Sequence, residues 1–194
     1  MATAKNRFPL YIIGLLLLVV GIFLFTTYNS LVPKDENVNL KWNEVQNAYQ
    51  RRLDLIPNLV QTVKGGAEYE QITLTKIAAA RGSMAGGGRI TPEAANRQMA
   101  DQAAVATSVN NLIARVERYP ELKGTEAFQG LQVQLEGTER RIKFARKDFN
   151  EAINIYNTSV RSFPTNLAAG LFGFKPRTGF QADDGSQNAV EIKF

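Results

Sequence analysis

The chemistry-bearing residues of this chain concentrate in one segment, RRLDLIPNLVQTVKG, from Arg51 to Gly65. There Arg51, Arg52, Asp54, Asn58 and Lys64 are set among Leu53, Leu55, Ile56, Leu59, Val60 and Val63, with Pro57 between them. At helical spacing Arg52 falls on the apolar face, where a guanidinium must be paired or lie at an interface. One expectation is an acid on a neighbouring helix, with the arginine stem packed along apolar surface. The other is a polar node that fixes bundle register or a subunit contact. If Arg52 is only a buried paired charge, Arg52→Met is expected to leave folding intact or improve it, because buried ion pairs often break even with apolar substitutes.

Other chemistries are excluded or weak. Histidine and cysteine are both absent, so no disulfide, no His- or Cys-ligated zinc and no Ser-His-Asp or Cys-His mechanism can be built. Glu68 and Glu70 are two apart and point to different helix faces, while Glu117 and Glu121 are separated by Pro120. Neither pair makes a general acid–base site or a shared metal ligand set. The basic run ERRIKFARK, Glu139 to Lys147, surrounds the apolar positions Ile142 and Ala145 and reads as a solvated helix face. The net charge of +5 is too mild to argue for nucleic acid. The glycines at 86–88 lack a P-loop signature and read as a linker. No catalytic, cofactor or metal residue is therefore expected.

These residues must be held by long helices, and the first is the most diagnostic. FPLYIIGLLLLVVGIFLFTTY, residues 8–28, carries no charge. At about 1.5 Å per residue it covers roughly 30 Å, the thickness of a bilayer core. It is too long for a signal-peptide apolar region and ends without a small-residue cleavage site, so an uncleaved transmembrane helix is expected. Lys5 and Arg7 in the basic tail 1–7 outweigh Lys34 and Lys41 only when the free amino group is counted, favouring a cytoplasmic N-terminus. Residues 29–38, with Pro33, read as a polar hinge.

A helical bundle is expected over residues 39–163. Trp42, Val45, Tyr49, Arg52, Ile56, Leu59 and Val63 form one stripe that extends in register through Leu74, Ile77 and Ala80. Pro57 should kink or break it, so residues 39–81 are one bent helix or two stacked ones. Residues 82–90 read as a loop. Thr91, Pro92 and Glu93 are a helix start, and Thr125 opens another. From Phe128 to Phe163 apolar positions recur at 3-4 spacing for about five heptads, giving a coiled-coil-like helix that Pro164 ends. Three to four antiparallel helices result, an all-α fold.

Residues 164–194 lose the periodicity. Phe163, Phe172, Phe174 and Phe180 are interleaved with Gly and Pro, and aromatics at this density are not left in water. Phe163, Pro164, Asn166, Phe172, Gly173 and Phe174 are candidates for packing on the bundle, or for a surface facing a partner or the membrane interface. The last residues, AVEIKF, alternate like a short strand.

Four segments together resemble one family: YNSLV at 28–32, WNEVQNAYQRRLDLIPNLVQTVKG at 42–65, AAAR at 78–81 and IYNTSVRSFPTNLAAGLFGFKP at 155–176. They are similar to the LemA family of bacterial membrane-anchored helical proteins. Gly66 departs from the pattern, which has an aromatic after VKG. The resemblance implies a single-pass protein of the cytoplasmic membrane with an antiparallel bundle, and it supplies no catalytic residues. The resulting expectation is a non-enzymatic structural or adaptor protein. Its expected partners are the lipid bilayer and further copies of itself as a homo-oligomer. One alternative is a regulator of a membrane or envelope protein partner in a stress or proteolysis pathway; a carboxylate-based enzyme or a lipid-binding domain is another, and it would need a concave pocket.

Overall fold

In the computed structural model the described residues are 8–62, 67–84, 91–116 and 125–180. They form five helices: α1 Phe8–Thr62, α2 Ala67–Met84, α3 Pro92–Val116, α4 Glu126–Arg161 and α5 Thr165–Leu171. Among the described residues there is no strand, and the fold is the all-α bundle expected from the periodicity. The predicted starts are in place. The Thr91 hydroxyl accepts the Ala94 N–H at 3.2 Å, and that of Thr125 accepts the Phe128 N–H at 3.4 Å.

The chain divides into two compact units, Met1–Val38 with Ala152–Arg177, and Asn39–Glu151 with Thr178–Phe194. The second holds the main core. Leu53, Ile56 and Leu59 of α1 meet Ile77 and Ala80 of α2, Val105 and Leu112 of α3, and Phe128 and Leu135 of α4. Residues 39–81 are thus two helices, and the bundle core draws on four. α1 continues through Pro57 to Thr62. Leu74, expected on the stripe, is exposed, and Thr73 is buried beside Ile77 instead. A new helix starts at Ala67, and Ile77 and Ala80, expected on the same stripe, are buried in the core.

The first unit corrects two expectations. Residues 29–38 are helical rather than a hinge. Leu31, Asp35 and Val38 lie at i, i+4 and i+7 and are all buried, so packing of that face overrides the lost backbone bond at Pro33. Phe163 is 81% exposed, although its stripe predicts burial. α4 ends at Arg161, which removes the helical phase that would have turned Phe163 inward. The tail also contains α5, which periodicity did not reveal. Its end is a Schellman motif: the Phe174 N–H bonds the Ala169 carbonyl at 2.9 Å, the Gly173 N–H bonds that of Gly170 at 3.3 Å, and Gly173 has φ 77°. Only glycine takes that conformation without strain.

The apolar run forms the first part of α1, and its side chains stand outward. Leu15, Leu17 and Phe25 are each more than 60% exposed. A core helix of a soluble protein would bury such residues. This is a helix long and apolar enough to cross a bilayer. Residues 1–7, Lys64, the Gly65–Gly66 pair, Glu117, Glu121 and the final AVEIKF lie outside the described residues, as do the side chains of Glu68 and Glu70.

Candidate functional site

In the second unit, Arg52 of α1 is buried on the apolar face and is met by two other helices. Its Nη1 donates to Glu139 Oε1 of α4 at 2.6 Å, and its Nη2 donates to Gln102 Oε1 of α3 at 3.1 Å. The guanidinium lies 5.7 Å from the Tyr49 ring centroid. Its Nε–H has no acceptor among the described residues. The pair is lopsided: the Arg52 side chain is 5% exposed and that of Glu139 53%. Arg52 is desolvated, whereas Glu139 retains water on one side.

Arg52 forms part of the wall of a cavity of about 500 Å³. The aromatic wall is a triad. The Trp42 centroid lies 5.2 Å from that of Phe149 and 5.9 Å from that of Phe180, and Phe149 and Phe180 meet at 5.5 Å. Asn150 of α4 holds Phe180 in place by a two-way amide clamp. Its Nδ2 donates to the Phe180 carbonyl at 3.0 Å, and its Oδ1 accepts the Phe180 N–H at 2.8 Å. An asparagine side chain thus substitutes for a strand partner. Arg146 lies over the Phe180 ring, 4.5 Å from its centroid. A second cavity of about 390 Å³, lined by Val109, Ile113, Leu135 and Arg140, also reaches Glu139.

The larger cavity has the size and mixed lining of a small-molecule site. Its walls carry two guanidinium groups and one carboxylate, so it suits an anionic group attached to an apolar or planar body. It lacks paired acids. Among the described residues no group of three or more potential ligands could hold a metal ion.

The remaining sequence candidates do not converge on this site. Arg51 and Asn58 are exposed. Asp54 pairs with Arg81 at 2.8 Å, but both side chains are half exposed, and such pairs contribute little. Pro57 is half-buried within α1.

Phe172, Gly173 and Phe174 belong to the other unit. There Tyr28 contacts Phe172 edge-on at 5.1 Å and Phe174 at 5.9 Å. Pro164 and Asn166 are exposed at the start of α5.

Sequence reasoning missed the aromatic triad, the Asn150 clamp and Gln102. The signal for Gln102 was present: it stands at helical spacing from Val105 and Val109 on an otherwise apolar face.

A protein-family model described as the LemA family matches residues 41–194. Among curated proteins the chain is 26% identical over 179 residues to magnetosome proteins MamQ 1 and MamQ 2 of Paramagnetospirillum magneticum, covering 81% of this chain and 66% of each relative. It is 25% identical over 173 residues to magnetosome protein MamQ of Magnetospirillum gryphiswaldense, covering 78% of this chain and 64% of that one. The chain thus spans a little under two thirds of the length of these relatives.

Proposed function

The chain belongs to the LemA family, and from that premise we propose that it is a single-pass protein of the bacterial cytoplasmic membrane, acting without catalysis as a structural or adaptor component. The carrying observation is the exposed apolar first part of α1, which is stable only in a bilayer or against other apolar spans. The N-terminus lies in the cytoplasm and the bundle outside it, following the charge bias around the span. The magnetosome setting belongs to the named relatives, and at 26% identity it is not carried over.

Assembly runs through α4. Val133 and Phe144 are 64% and 62% exposed. They are eleven residues apart, three helical turns, and so share a face. A side chain at Gly130 or Gly137 nearby would meet nothing within 4 Å. This open face suits a second copy. The native complex in mild detergent should have a mass that is a discrete multiple of 21.5 kDa, and Val133→Ser with Phe144→Ser should reduce it to single chains. A monomer or dimer carrying one recurring protein would favour regulation of an envelope partner.

The cavity favours a second reading, a ligand-binding module. Trp42 is the only tryptophan, so its emission reports on the cavity directly. Titration with aromatic carboxylates and free fatty acids should then give a saturable change that Arg146→Gln abolishes. A flat titration would leave the scaffold reading alone.

A further inference from the structure

α5 is built inside out. Its small residues Ala168 and Ala169 are buried, at 1% and 0% exposed, while Leu167 and Leu171 are 67% and 70% exposed. Phe163, just before the helix, is 81% exposed, and Phe172, at its end, is 40% exposed. Leu167 and Leu171 stand at i and i+4, so they share a face. A short helix in water would be expected to turn its leucines inward and its alanines outward. The reversed arrangement indicates an apolar surrounding.

The position of this patch identifies that surrounding. Phe172 contacts Tyr28 edge-on at 5.1 Å, and Phe174 contacts the same ring at 5.9 Å. Tyr28 closes the apolar run of α1, where a transmembrane segment leaves the hydrocarbon and where amphipathic rings are favoured. The outward side chains of α5 therefore lie at the depth of the membrane surface. Arg161 before α5 and Lys175 after it are exposed cations, suited to lipid phosphates.

We infer that the α4–α5 corner, through Phe163, Leu167, Leu171 and Phe172, is an interfacial membrane contact that inserts beside the end of the span. It gives the chain a second attachment to the same leaflet, and that leaflet is the occupant of the patch. The Schellman turn at Gly173 serves this geometry, because it brings Phe174 back onto Tyr28 while leaving Leu171 outward.

This inference rests on reading residues 8–28 as a transmembrane helix, and one experiment separates the two. The chain has no cysteine, so single replacements Leu15→Cys, Leu167→Cys, Leu171→Cys and Asn111→Cys carry nitroxide labels at unique sites. Circular dichroism confirms folding of each full-length variant in vesicles of phosphatidylcholine with phosphatidylglycerol. Electron paramagnetic resonance then compares relaxation by oxygen, which partitions into lipid, with relaxation by a water-soluble nickel chelate. The expected result is oxygen access without chelate access at 15, 167 and 171, and chelate access at 111. Chelate access at 167 and 171 with lipid access at 15 overturns the interfacial contact and leaves the span standing. Shielding of 167 and 171 from both agents overturns it too, because protein rather than lipid would then cover the patch. Chelate access at 15 overturns the span and the inference together.

Discussion

Arg177 Nη2 lies 2.7 Å from Asp35 Oδ1, with both side chains largely buried. The same arginine sits 5.7 Å from the Tyr156 ring centroid, and its backbone is clamped by Asn157, whose Oδ1 accepts the Arg177 N–H and whose Nδ2 donates to the Arg177 carbonyl, both at 2.8 Å. One residue of the irregular chain after α5 thus reaches both α1 and α4. Arg177→Met leaves a buried carboxylate without its cation and should destabilise the protein by about 3–5 kcal/mol. Replacing both partners, Asp35→Leu with Arg177→Met, should recover most of that loss. Denaturant titration of the detergent-solubilised protein measures both, and equal losses in the single and double variants would show that the pair itself is not responsible.

The Arg52–Glu139 pair should respond unequally to loss of either partner. Glu139→Ala leaves a desolvated guanidinium without its carboxylate and should cost about 3 kcal/mol or more. Arg52→Met leaves a half-exposed glutamate that water can solvate, together with one buried amide oxygen on Gln102. That amide sets the cost at about 1–3 kcal/mol. The expectation from sequence that Arg52→Met would be neutral or stabilising is revised for this reason. Chemical denaturation of the two variants side by side tests the order.

Asn150→Ala should release the Phe180 segment without unfolding the bundle core, in which neither residue takes part. Trp42 would lose its stacked neighbour, at 5.9 Å, and keep Phe149. A red-shifted Trp42 emission with little change in helical circular dichroism is the expected outcome. An unshifted spectrum would mean that the clamp does not hold the cavity wall.

Stability should fall on the alkaline side. Burial pushes the Tyr49 phenol above its ordinary 10.0, against the smaller opposing pull of Arg146 and Arg52. The unfolded chain therefore releases this proton first as pH rises. The contribution is fully present below pH 10 and is lost between 10 and the higher folded-state value. Tyr49→Phe should flatten the stability profile in that window, and the late part of the phenolate absorbance titration should shrink in that variant.

Much of the architecture was legible because helical period and bilayer length are local properties. The apolar run, the Thr91 and Thr125 starts and the stripe through Trp42, Tyr49 and Arg52 depend only on residue type and spacing. So did the need of Arg52 for an acid. Which acid was not legible, because Glu139 stands 87 positions away and local periodicity is blind to such a separation.

Where reading and structure part, tertiary packing decided. Pro33 and the polar residues around it argued for a hinge, but burial of Leu31 and Val38 keeps that stretch helical. Phe163 followed the stripe in sequence and left it in space, since α4 stops at Arg161. The cavity walled by Trp42, Phe149 and Phe180 needed three distant segments to meet. Sequence by itself determined the apolar run, the helix starts at Thr91 and Thr125 and the family resemblance, all properties of short stretches. Only the tertiary structure decided which charges pair, which aromatics enclose space and which leucines stay outward, because those depend on contacts between residues far apart along the chain.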